Sequence, residues 1–217
     1  MRVAVKICGL CRPEDARLAS EAGADYLGII LAPGPRRREP DEARAIWDDL
    51  SGRRVGVFID PTAKEVIRLA EELRLDVVQL HGSEDPEFCR RLQEAIAGSV
   101  WKAVRLRDEG RLASAVDRYS RAVDGVLLEG WSPEGKGGVG ARLDWSRLAA
   151  ARTRLPSGQQ LILAGGLNPG NVAAAIRAVG PDVVDVSSGV EAELGVKDPI
   201  AVRAFLREAQ GTQNDGG

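Results

Sequence analysis

Eight short runs rich in Val, Ile and Leu recur along this chain, and each is followed by a longer stretch rich in Ala, Arg, Glu and Leu. The runs at Val3–Cys8, Tyr26–Leu31, Val55–Ile59, Val77–Leu80, Val100–Arg105, Gly125–Glu129, Leu161–Ala164 and Val183–Ser187 predict strands. Strands that read as nearly continuous apolar runs are covered on both faces, which in a parallel sheet means helices outside and packed side chains inside. Eight βα units in succession close into a barrel. The expected fold class is therefore α/β, a (β/α)8 TIM barrel.

Punctuation supports this division. Arg12-Pro13-Glu14-Asp15, Glu39-Pro40-Asp41-Glu42, Asp85-Pro86-Glu87 and Asn168-Pro169 place proline at a first helical turn, with carboxylates following in the first three. Gly180-Pro181 ends a helix by the opposite signals. At 217 residues the chain fits one such barrel, usually roughly 200 to 250 residues long, with no linker or repeat inside the pattern. A single domain over residues 1–210 is expected, and residues 211–217 carry too little apolar surface to order themselves. One further exception is the segment after Gly130, where Gly135, Gly137, Gly138 and Gly140 mark a loop long enough to be a lid.

Charge narrows the function. The 30 basic and 32 acidic residues are mixed along the length, leaving a net charge of −2 and no nucleic-acid footprint or basic membrane patch. No apolar run approaches the roughly 20 residues that cross a bilayer, and the start lacks the layout of a signal peptide, so a cytoplasmic protein with no membrane partner is expected. Three cysteines, an odd number, fit free thiols in a reducing compartment. The single histidine, His81, excludes a multi-histidine metal site, and no metal is expected.

In a parallel barrel every strand delivers its last residue to one rim, so the unusual rim residues are the candidates. The seventh unit ends in Gly165-Gly166-Leu167-Asn168 and the eighth in Ser187-Ser188-Gly189. Exposed amides, hydroxyls and a helix start capped by Asn168 make an expected phosphate cradle. Closure sets the first strand beside the eighth and the sixth beside the seventh. Cys8 and Glu129 then flank the cradle. Lys6 shares a face with Cys8 by strand alternation, and a rim thiol near cations has its pKa lowered toward a working base. Glu129, partly desolvated beneath the glycine-rich loop, is expected to hold a proton and act as a general acid. One of Arg36, Arg37 and Arg38 can grip a carboxylate through a bidentate fork. His81 ends the fourth strand and shapes the pocket. Cys11 and Cys89 read as structural.

Taken in order, Lys6-Ile7-Cys8-Gly9-Leu10, Val78-Gln79-Leu80-His81-Gly82, Gly165-Gly166-Leu167-Asn168-Pro169 and Asp185-Val186-Ser187-Ser188-Gly189-Val190-Glu191 resemble the motifs of the phosphoribosylanthranilate isomerase family. The resemblance runs through nearly the whole chain. It implies Cys8 as general base, Arg36 as ligand of the anthranilate carboxylate, Asp185 near the sugar and the last two motifs on the ribose phosphate. The implied reaction is an Amadori rearrangement of a small phosphoribosyl substrate in tryptophan biosynthesis, by acid and base alone and with no cofactor. One departure stands out: the family pattern ends the sixth strand in aspartate, and this chain has Glu129. Glu134, in the following loop, is the alternative acid. Oligomeric state is open between monomer and homodimer.

Overall fold

The structure, a computed structural model, describes residues 2–106, 112–130 and 145–211. The glycine-rich loop with Glu134 and the tail from 212 onward lie outside the described residues. Strands β1 (Ala4–Ile7), β2 (Tyr26–Ile30), β3 (Arg53–Phe58), β4 (Val77–Leu80), β5 (Ser99–Leu106), β6 (Gly125–Gly130), β7 (Gln160–Ala164) and β8 (Val183–Val186) form a closed parallel barrel in chain order. Helices α1 (Pro13–Glu21), α2 (Pro40–Trp47), α3 (Ala63–Glu72), α4 (Pro86–Ala95), α5 (Leu112–Tyr119), α6 (Trp145–Arg152) and α7 (Val172–Val179) lie between the strands. After β8 come two strands that periodicity does not disclose, β9 (Glu191–Glu193) and β10 (Val196–Lys197), paired antiparallel, and then α8 (Pro199–Gly211). The final helix runs one residue past the expected domain end.

Three of the four proline signals mark helix starts, at Pro13, Pro40 and Pro86. The fourth does not. Pro169 sits in a turn closed by Val172 N donating to Asn168 O at 3.1 Å, and α7 begins only at Val172. Asn168 serves that turn rather than the helix: its Oδ1 accepts from Gly170 N at 2.9 Å, and its own amide donates to Asn171 Oδ1 at 2.8 Å.

Two apolar layers follow from strand alternation. Outward residues such as Ile7, Leu80, Leu128 and Leu163 pack against the helices. Inward residues Tyr26, Val55, Val77, Trp101, Leu127, Ile162 and Val183 fill the barrel, with Tyr26 and Trp101 rings edge-to-face at 4.9 Å. That packing plugs one end of the barrel. Toward the C-terminal ends of the strands the inward positions turn polar, with Lys6, Gln79 and Asp185 all buried. A broad cleft of about 700 Å3 also opens at the opposite end, lined by Arg53, Arg74 and Asp76 among others. Of its two acids, Glu71 and Asp76, the second is already engaged, accepting from the Arg54 amide at 2.7 Å.

Candidate active site

At the polar end lies a cavity of about 190 Å3 whose wall includes Cys8, Arg36, His81, Glu129, Gly165, Gly166, Asp185, Ser187, Ser188 and Gly189. Ten of the expected site residues thus meet on one surface. Asn168 does not line it, because its side chain is spent on the turn described above.

Register explains the base side. β1 pairs with β8 so that Lys6 stands level with Asp185, and Cys8 N donates to Val186 O at 2.8 Å, continuing the ladder one residue past the strand. Lys6 Nζ donates to Asp185 Oδ2 at 2.9 Å, an ion pair with almost no solvent contact. Such a pair persists only when geometry repays the loss of hydration. Burial pushes the Cys8 thiol up, Lys6 draws it back, and Asp185 pushes it up again, so it lies above its ordinary value. The lowering that a nearby cation can bring is therefore outweighed: the cation is present, but burial and the neighbouring carboxylate prevail. Burial also opposes the Lys6 charge, yet Asp185 and Cys8 together raise its pKa.

Opposite, Glu129 ends β6 and faces inward. His81 Nε2 stands 3.0 Å from Glu129 Oε2, and Gln79 Nε2 stands 3.2 Å from His81 Nδ1. With the amide donating to Nδ1, the imidazole proton sits on Nε2 and is donated to the carboxylate. Arg105 Nε adds a longer contact of 3.3 Å. Burial alone would raise the Glu129 pKa, but the hydrogen bonds and charges of His81 and Arg105 bring it below the usual carboxylate value. This too departs from expectation. The two shifts favour a thiol at Cys8 and a carboxylate at Glu129.

Between them lies the cradle. A Cβ on Gly189 would stand 1.8 Å from Leu167 O, so the turns after β7 and β8 pack backbone on backbone and only glycine fits. Three polar atoms on the cavity wall, Gln79 Oε1, Asp185 Oδ1 and Ser187 Oγ, are buried with no hydrogen-bond partner among the described residues. Native interiors seldom leave such atoms unpaired, and a cluster of them on a cavity wall is what a polar ligand would satisfy.

Of the three arginines, Arg36 lines the cavity. Arg37 pairs with Glu39 at 3.1 Å, and Arg38 Nε donates to Cys11 O at 3.2 Å. Arg36 crosses Gly9, whose φ of +70° and open α-carbon admit it: a Cβ there would stand 2.9 Å from Arg36 Cδ. Arg36 also makes a fork that residue patterns do not disclose, Nε donating to Glu191 Oε1 at 2.8 Å and Nη2 to Oε2 at 2.6 Å. Gln79 and Arg105 were open to detection, since each lies two residues from a named rim residue or level with one across the sheet. Glu191 closes the last motif, but nothing in the sequence showed its pairing with Arg36; Lys197 gave no signal, because it sits on a hairpin of two very short strands. Cys89 is buried in α4, with burial lifting its thiol to about 11, and Cys11 lies in the first loop, both outside the cavity.

Comparison with known proteins agrees with this geometry. Residues 5–208 match the family model described as N-(5'phosphoribosyl)anthranilate (PRA) isomerase. The N-(5'-phosphoribosyl)anthranilate isomerase of Moorella thermoacetica is 44% identical over 206 residues, covering 94% of this chain and 88% of that protein. The enzyme of the same name from Chromohalobacter salexigens is 46% identical over 219 residues, covering 98% and 96%. Among solved structures, phosphoribosyl anthranilate isomerase from Thermotoga maritima superposes with a TM-score of 0.88 at 40% identity, over 96% of this chain and 99% of that one. Another isomerase structure, in complex with reduced 1-(o-carboxyphenylamino)-1-deoxyribulose 5-phosphate, gives 0.84 at 38% identity with the same coverage. With a family model spanning nearly the whole barrel and relatives at this identity, the chain belongs to the N-(5'-phosphoribosyl)anthranilate isomerase family.

Proposed function

We propose that Cys8 and Glu129 are the base and the acid with which this member of the family carries out the isomerase step of tryptophan biosynthesis, the Amadori rearrangement of N-(5-phosphoribosyl)anthranilate to 1-(2-carboxyphenylamino)-1-deoxyribulose 5-phosphate. The observation that carries this reading is that a thiol, a carboxyl group and the two glycine turns share one small cavity. The phosphate is held by backbone amides around Gly165, Gly166, Ser188 and Gly189 and by the Ser187 hydroxyl. Asp185 takes a sugar hydroxyl on its free oxygen. Arg36 grips the ring carboxylate, and His81 holds Glu129 in place.

Anchoring at both ends turns the chemistry into local proton transfers. Glu129, protonated, gives its proton to the furanose ring oxygen as the C1–O bond breaks, and the nitrogen lone pair forms a Schiff base. Cys8, as thiolate, removes the proton from C2; the electron pair becomes the C1–C2 double bond and the imine electrons return to nitrogen. The enolamine then gains a proton at C1 and loses the one on its C2 hydroxyl, giving the aminoketone. One turnover leaves a thiol and a carboxylate. That is the allocation the two pKa shifts favour, and the reactive form is regained by moving one proton from Cys8 to Glu129 through solvent.

The test is turnover itself, followed as loss of anthranilate-type fluorescence with a chelator present. Saturable conversion to the deoxyribulose phosphate is expected. Binding of the substrate with no conversion would instead make the chain a phosphometabolite-binding barrel without catalysis.

A further inference from the structure

The hairpin between β8 and α8 carries two of the most deeply buried charges in the molecule. Glu191 on β9 is 6% exposed at its side chain, and Lys197 on β10 is fully buried. Lys197 Nζ donates to Glu191 Oε1 at 3.0 Å and to Ser187 O at 3.0 Å. The Lys197 amide donates to Asp15 Oδ2 at 3.2 Å, and Asp15 is itself gripped by Arg12. Lys197 therefore pins the hairpin both to the first helix and to the turn after β8. Glu191 in turn accepts the Nε and Nη2 fork of Arg36.

Arg36 and Lys197 both reach the one carboxylate. Burial lowers the Lys197 pKa, and Glu191 acts against that shift. Burial pushes the Glu191 pKa up, but Arg36 and Lys197 together hold it below the usual value, so the carboxylate is charged. Lys197 is enclosed, whereas Arg36 is 18% exposed and lines the cavity wall. Of the two, only Arg36 meets the cavity. A guanidinium has five N–H donors, and Glu191 uses one on Nε and one on Nη2. What is left is the end-on fork of Nη1 and Nη2, to which no acceptor is bound among the described residues. A second carboxylate coplanar with the guanidinium fits that fork.

We infer that Glu191 is a positioning residue that fixes the rotation of Arg36, with Lys197 as its buried counter-charge, so that the free end-on fork selects a carboxylate borne on the substrate's aromatic ring. This rests on the proposed role of Arg36 as the carboxylate ligand and adds what makes it selective. Without Glu191, Arg36 keeps its charge but loses its plane, and a flexible cation discriminates less well than a fixed fork.

Two ligands measure this on the full chain by titration calorimetry: the reduced product, 1-(2-carboxyphenylamino)-1-deoxyribitol 5-phosphate, and the same molecule lacking the ring carboxylate. The reading is the ratio of their Kd values in one preparation, with the folded fraction given by the stoichiometry. Glu191→Gln is expected to shrink the ratio by about tenfold, the gain of one charge-assisted fork, while the carboxylate-free ligand stays within about twofold. Glu191→Asp, which keeps the charge but draws it back by one methylene, falls between and serves if Glu191→Gln does not fold. An unchanged ratio in the glutamine variant, or equal weakening of both ligands, overturns the inference. Arg36→Lys separates the two readings: if it leaves the ratio intact, the assignment of Arg36 itself fails, whereas loss of selectivity there but not in Glu191→Gln removes only the role of Glu191.

Discussion

A thiol that is to serve as a base needs a cation close by and little water around it, and these two requirements pull its pKa in opposite directions. Cys8 has both, and burial prevails. Strand alternation made Lys6 legible as its neighbour, but which influence wins depends on Asp185, 177 positions further along the chain, and on how deeply the site is enclosed. Neither is written locally. Because its pKa is raised, Cys8 is protonated at neutral pH in the free enzyme, and the thiolate fraction climbs tenfold for each pH unit until the raised value is passed. Alkylation by iodoacetamide, read at Cys8 by mass spectrometry, should therefore accelerate steadily up to and beyond pH 9. A plateau below pH 8 would show a depressed thiol and contradict this placement. Glu129 shows the same lesson with the sign reversed: its position at the end of β6 was readable, but its partners His81 and Arg105 come from β4 and β5.

At the scale of elements, alternation and helix punctuation located all eight barrel strands to within a few residues, because each must be apolar on both faces. Two features escaped. The proline rule misplaced the start of α7, since Asn168-Pro169-Gly170-Asn171 closes a turn of its own before the helix begins. The β9 and β10 hairpin is too short for a period to register, yet it holds Glu191 and Lys197. The glycine turns, by contrast, were legible in place: both line the cavity. Their packing gives a sharp expectation for Gly189→Ala: the added methyl collides with Leu167 O, a backbone atom that cannot rotate away. The turn must shift, costing about 2 kcal/mol of stability and lowering Tm by roughly 4–8 °C. Affinity for the reduced product should fall at least tenfold, because the amides proposed to meet the phosphate move with the turn. Thermal denaturation and titration check both, and an unaltered variant would mean that the two turns do not act as one cradle.

For the whole molecule, closure is what turns a list of residues into a site. The β1 and β8 ladder joins Ala4 to Val183 and Ile7 to Val186, and the buried Lys6 and Asp185 pair seals the same seam from inside. Counting eight βα units was enough to foresee that Cys8 and Glu129 would line one cavity. It could not foresee that the thiol would be shifted up and the carboxyl group down. Glu129 stands where the resemblance implies an aspartate, one methylene shorter, and His81 and Arg105 hold the longer arm at the cavity wall. The most direct test is kcat of Glu129→Gln, an isosteric change that removes the transferable proton and keeps the cavity. A fall of about 10²- to 10⁴-fold is expected, with Kd for the reduced product within about threefold of the parent. Turnover near the parent rate would contradict the assignment and move the acid to another carboxyl group, Glu134 being the first to examine.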